Sequence, residues 1–141
     1  PEAVLLDTCA VIWLANADPM AKAAIDAIYH AARNGGVFIS PISAWEIGLA
    51  TRPNARRPSG LQLQLDPKTW FAKVMSGVGV RPAPFAPDIA IGSSYLPGDL
   101  HGDPADRIII ATPRHLGVPV VTRDHRIIDY GRAGHVAVIA C

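Results

Sequence analysis

Four acidic residues, Asp7, Glu46, Asp106 and Asp124, have the side chains and positions to hold a hard divalent cation and hydrolyse a phosphodiester. Asp7 directly follows the apolar run Val4-Leu5-Leu6, and Asp124 follows the run from Val118 to Thr122 after one arginine. In an open parallel sheet, ligands bind beyond the carboxyl ends of the strands, so an acid just after an apolar strand points to that edge. Each of the two also precedes a helical stretch, where a lone Asp is best explained as an N-cap. The pair shifts the balance toward a site.

Glu46 interrupts Ile42-Ser43-Ala44-Trp45-Glu46-Ile47-Gly48-Leu49-Ala50, a helix start otherwise without charge. An acid among apolar neighbours needs a partner or a cation, because an unpaired buried charge is costly. Ser43 one turn before and Ala50 one turn after leave a small, polar face, so a solvent-facing Glu fits equally well. In His101-Gly102-Asp103-Pro104-Ala105-Asp106-Arg107 two carboxylates stand three residues apart at a helix start, on the same side of the first turn. Asp103 suits the cap, and Asp106 can face inward, although the helix dipole favours an acid there in any case. His101 reads as a surface or capping residue, with a proton-carrying role as the alternative.

Carboxylates that converge without compensating bases repel one another and raise their own pKa values. A divalent cation resolves the conflict. Oxygen donors select Mg²⁺, with Mn²⁺ also suited, and the lack of a Cys/His cluster disfavours zinc.

The elements that must position these residues alternate between short β-branched runs and longer helical patterns, which predicts an α/β fold with helices packed on a parallel sheet. Strands are expected at Val4–Leu6, Val37–Ile39, Val118–Thr122 and Val136–Ile139. Several prolines follow an oxygen-bearing side chain: Asp18-Pro19, Ser40-Pro41, Asp66-Pro67 and Asp103-Pro104. That pairing starts helices, because the side chain caps a free N–H and Pro at the first position has no donor to lose. It predicts helices near 19–33, 41–51, 67–77 and 104–116, with further ones near 8–16, 87–96 and 124–130. Residues 52–66 and 77–87 read as loops. Pro113 lies within the apolar helical pattern and predicts a kink or an early stop.

With 141 residues, half of them apolar, residues 1–141 fit one domain with a self-sufficient core. The start at Pro1 reads as trimmed, and no signal peptide or membrane-spanning run is evident, so the chain reads as soluble and cytosolic. Cys9 and Cys141 form no disulfide framework, and Cys9 is expected to pack as a small hydrophobe. A net charge of +1 excludes a protein that coats nucleic acid through a dense basic surface. Local contact remains open: Arg52, Arg56 and Arg57 form the sharpest basic cluster, readable as a solvated loop or as a phosphate or partner contact.

Val4-Leu5-Leu6-Asp7-Thr8, Ser43-Ala44-Trp45-Glu46-Ile47, the stretch from Asp103 to Thr112, and Val121-Thr122-Arg123-Asp124 together resemble a PIN domain, in particular the VapC toxins of type II toxin–antitoxin modules. The resemblance covers nearly the whole chain, with four motifs in order. It implies a PIN-like fold, a central parallel sheet of about four to five strands flanked by helices. It also implies a Mg²⁺- or Mn²⁺-dependent endoribonuclease acting on tRNA or rRNA, a homodimer or a toxin–antitoxin hetero-oligomer, and an antitoxin that blocks the cleft. Asp7, Glu46, Asp106 and Asp124 match the family's acids, and Asp103 the extra acid of the toxin branch. Thr8, Ser43 and Thr122 match small polar neighbours expected to hydrogen-bond to them. Asp7 and Asp106 are expected closest to the metal, the other acids acting through water or a second ion. A DNA-directed nuclease or phosphatase, or a binding module that lost its chemistry, are the competing readings.

Overall fold

The computed structural model describes residues 1–141. Five strands form a wholly parallel sheet: β1 (Ala3–Leu6), β2 (Gly36–Ile39), β3 (Val80–Pro82), β4 (Val120–Thr122) and β5 (Val138–Ala140), in the spatial order β3-β2-β1-β4-β5. Seven helices connect and cover them: α1 (Thr8–Ala15), α2 (Lys22–Arg33), α3 (Pro41–Thr51), α4 (Pro67–Met75), α5 (Pro87–Ser94), α6 (Pro104–Leu116) and α7 (His125–Arg132). None is long and apolar enough to cross a membrane.

Successive strand residues point to opposite faces, so each strand feeds two cores. Val4, Leu6, Val37, Ile39 and Val121 pack on one face with Ile28 of α2 and Trp70 of α4. Leu5 and Val120 face the other side, against Ile109 and Ile110 of α6 and Ile127 and Tyr130 of α7. Leu6 pairs with Ile39 on one side and with Val121 on the other, which brings the ends of these three strands level. The chain builds outward from β1 through β2 to β3, then returns to lay β4 on the opposite flank. The order therefore reverses between β1 and β4, and a crevice opens where such sheets bind ligands.

Side-chain caps account for most helix starts. Ser40, Asp66 and Asp103 accept N–H bonds from Ile42, Thr69 and Asp106, with a Pro at the start of each helix. Asp18-Pro19 does not behave this way: α2 begins at Lys22, after Ala21, with no side-chain cap. The segment 77–87, expected as a loop, contains β3, which pairs with β2 from Val80 to Pro82. Pro82 is tolerated because β3 is an edge strand and loses no bond on its free side. At the turn into it, Gly79 has φ +77° and lies so close to Ala32 that a Cβ would meet its carbonyl oxygen at 2.1 Å. The last strand lies at 138–140, whereas Val136 is spent on the core before it.

α6 does not stop early at Pro113 but runs on to Leu116. Ile109, Ile110, Ala111, Thr112 and Pro113 are all buried, so packing outweighs the one missing backbone bond. Gly117, in the left-handed region, then closes the helix by donating to the Pro113 carbonyl. Cys9 is exposed on α1 rather than packed as a hydrophobe.

Candidate active site

Asp7 leaves the end of β1 and caps α1, its Oδ1 accepting the Ala10 N–H at 2.8 Å. Its Oδ2 accepts the Thr122 hydroxyl from the end of β4 at 2.5 Å. That hydroxyl accepts the Asp124 N–H at 3.1 Å, so one oxygen bridges the two strand ends where the sheet order reverses. Asp124 also caps α7. Each of the two acids is thus both cap and cleft residue, and the alternatives posed by the sequence are not exclusive.

On α3, Glu46 Oε1 accepts the Thr8 hydroxyl at 2.5 Å, and Thr8 shares a 2.9 Å hydroxyl contact with Ser43. Ser43 and Thr122 are buried behind the acids, whereas Thr8 lines the cleft beside them. Asp106, in the first turn of α6, meets His101 Nε2 through its Oδ2 at 2.7 Å. A single cleft of about 910 Å³ is lined by Asp7, Glu46, Asp106 and Asp124 together. Asp103 caps α6 from an exposed position and does not line it. Arg56 and Arg57 line the same cleft, while Arg52 ends α3 outside it.

The loop carrying those arginines is ordered by its own bonds. Asn54 Oδ1 accepts both the Arg56 and the Arg57 N–H, and Leu61 N–H returns to the Ala50 carbonyl. Neither Arg56 nor Arg57 is within ion-pair distance of a carboxylate.

Burial first, and then the charges of Asp124 and Asp106, push the Asp7 carboxyl above its ordinary value, against the lowering bonds from Thr122 and Ala10. Glu46 is also raised, chiefly by burial and further by Asp106, Asp103 and Asp7, against the Thr8 bond. For Asp124, burial pushes upward but the Arg126 side chain, N–H and charge outweigh it and hold the carboxyl below its usual value. The Cys9 thiol is pushed up to about 11 by desolvation and by Asp7 and Glu46, which leaves it protonated and no nucleophile.

Sequence reasoning missed Arg126, which bridges Asp124 at 3.1 Å and Asp106 at 3.7 Å. It favoured a surface or capping role for His101 over a proton-carrying one, and the structure sets its ring against Asp106 while its buried Nδ1 has no partner. No spacing signal marks Arg126, and each contact depends on where a side chain turns.

No three His, Cys, Asp or Glu side chains are grouped closely enough to ligate one ion directly. The donor chemistry nonetheless fits a hard divalent cation held partly through water: the cleft offers carboxylate and hydroxyl oxygens, and Asp7 is 8% exposed with no cationic partner.

A parallel sheet carrying acids at the β1/β4 reversal, with helices on both faces, is the arrangement of a PIN domain, and the chain belongs to that family: the PIN domain family matches residues 4–133. It is 31% identical over 125 residues to Ribonuclease VapC22 of Mycobacterium tuberculosis, covering 88% of each chain. The fold is similar to a chain in the crystal structure of VapBC2 from Rickettsia felis bound to a promoter DNA fragment, with a TM-score of 0.68, 14% identity and 98% of each chain covered. It is also similar to one in DNA-bound VapBC from Salmonella typhimurium, with a TM-score of 0.62, 18% identity and 98% and 97% covered.

Proposed function

We propose that this chain is a Mg²⁺-dependent endoribonuclease, with Mn²⁺ able to substitute, and the toxin of a type II toxin–antitoxin pair. The observation that carries the reading is the buried, cation-free Asp7 in one cleft with Glu46, Asp106 and Asp124. The likeness to Ribonuclease VapC22 supports RNA as substrate, with tRNA and rRNA the candidate targets. The likeness to VapBC complexes supports a cognate antitoxin as partner. Residues 1–141 form its single PIN domain, which works in the cytoplasm as a homodimer or within a toxin–antitoxin assembly.

Asp7 and Asp106 are the closest metal ligands in this reading, with Glu46 and Asp124 acting through water. Asp103 serves mainly as the α6 cap. A bound divalent cation supplies Lewis-acid activation of water and stabilisation of charge on the phosphoryl group. The chain's own residues do the rest. Thr122 and the Ala10 N–H fix both oxygens of Asp7, and Thr8, backed by Ser43, aims Glu46. Arg56 and Arg57, without carboxylate partners, attract the RNA backbone into the cleft. Cleavage leaves a 5′-phosphate and a 3′-hydroxyl.

Incubation of the purified protein with tRNA, rRNA and single- and double-stranded DNA, each with Mg²⁺ or EDTA, tests the reading. RNA cleavage that EDTA stops supports it. Cleavage of DNA alone assigns the fold to another nuclease, and no metal-dependent cleavage of any substrate indicates a binding module.

A further inference from the structure

On the proposed nuclease reading, the scissile phosphate sits at the acids, and the nucleotide beside it must rest on some neighbouring surface of the cleft. Trp13 and Arg123 line that cleft together with the acids. Trp13 projects from the α1 face that also presents Cys9 and Ile12 to it. The Arg123 guanidinium sits over this indole, with Cζ 3.9 Å from the ring centroid. Two main-chain oxygens from distant parts of the chain hold it there: Nε donates to Cys141 at 3.1 Å and Nη2 to Pro19 at 3.0 Å. No Asp or Glu side chain pairs with it, and its residue is exposed.

This geometry decides what Arg123 can recognise. A guanidinium grips phosphate through its edge, by paired N–H donors. Here part of that edge is already committed to main-chain oxygens, which leaves the charged plane, on the side away from the indole, as the feature to offer a ligand. Planes of this kind stack on nucleobases, as aromatic rings do. The indole and the two main-chain oxygens hold the group in place before any ligand arrives.

We propose that Arg123, held over Trp13, is a platform on which an unpaired nucleobase next to the scissile phosphate stacks. The pair is thus a positioning device that favours single-stranded over duplex RNA, since a base within a helix keeps its own stacking partners. Arg56 and Arg57 supply the backbone attraction, and the platform sets which nucleotide lies over the acids.

The test is equilibrium binding of a fluorescein-labelled, unstructured oligoribonucleotide, with Ca²⁺ in place of Mg²⁺, alongside a set of the same oligonucleotide carrying one abasic site at each position in turn. Wild-type protein is expected to lose about tenfold in affinity for one abasic position, within the range that base–aromatic stacking spans. Trp13→Leu and Arg123→Gln should bind the intact RNA about tenfold more weakly and be indifferent to that abasic site, whereas Trp13→Phe should restore most of the discrimination. A merely structural role for the pair would shift the melting temperature but leave the abasic effect intact in the variants. The platform is overturned if wild type is indifferent to every abasic position, or if the variants lose affinity equally for intact and abasic RNA. Failure of wild type to bind or cleave any RNA overturns the nuclease reading itself, a separate outcome.

Discussion

The Thr122 hydroxyl donates to Asp7 Oδ2 at 2.5 Å across the junction of β4 and β1, and the same oxygen accepts the Asp124 N–H. Both residues are buried, so this contact sets the position of the most enclosed acid in the cleft. Thr122→Val keeps the shape and removes the hydroxyl. It should cost about 1–3 kcal/mol of stability, because a buried acceptor and a buried donor both lose a partner. Urea denaturation of the two proteins in EDTA reads this directly, and equal midpoints would contradict it.

Metal-free protein should carry a cost for its crowded carboxylates. Glu46→Gln keeps an acceptor for Thr8 while removing one charge from a group whose carboxyl burial and neighbouring acids hold above its ordinary range. We expect its melting temperature in EDTA to rise by a few degrees while the stabilisation that Mg²⁺ gives to wild type shrinks. Thermal scans with and without Mg²⁺ report both effects; a lower melting temperature in EDTA would show that the charge is not a burden.

The pH dependence follows from the same shifts. Asp7 and Glu46 have folded pKa values above their ordinary values of 3.8 and 4.5, so the folded chain binds these protons more tightly than the unfolded chain. Metal-free stability should therefore rise as pH falls from neutral through those raised values, and the gain is lost again as pH rises. Asp124 acts oppositely: its folded value lies below 3.8, so its contribution holds above that pH and disappears as pH falls further. Denaturation midpoints across this range in EDTA should pass through a mildly acidic maximum. A steady decline from neutral would contradict it.

Arg126 leans on both Asp124 and Asp106 and, on the proposed reading, would compete with a cation for them. Arg126→Ala should tighten Mg²⁺ binding severalfold, as seen by calorimetry, and return the Asp124 carboxyl toward its usual value. Unchanged or weaker Mg²⁺ affinity would place the arginine outside the electrostatics of the cation.

What the sequence could reveal depended on whether a residue's role followed from its neighbours along the chain. Asp7 and Asp124 were legible because apolar strands end beside them, and the caps at Ser40, Asp66 and Asp103 because Pro follows each. Asp18-Pro19 carries the same pair, yet the chain there runs on to Ala21 before turning helical. β3 was not legible: it is three residues long and holds an Arg and a Pro, so its strand character comes from pairing with β2 rather than from its own pattern. The helix at 104–116 was legible, and the early stop that Pro113 suggested does not occur because local propensity takes no account of the packing that holds the last turn of α6. Arg126, His101 and the Trp13–Arg123 stack were hidden for another reason, since their partners are fixed only by the fold.

The most direct test of the account compares tRNA cleavage by wild type with that by Asp7→Asn and Asp106→Asn in Mg²⁺, with circular dichroism confirming that each variant is folded. The account predicts a loss of more than about a hundredfold in both, given that even residues supporting a metal's ligands cost up to that much when changed. Full ribonuclease activity in either folded variant would contradict it.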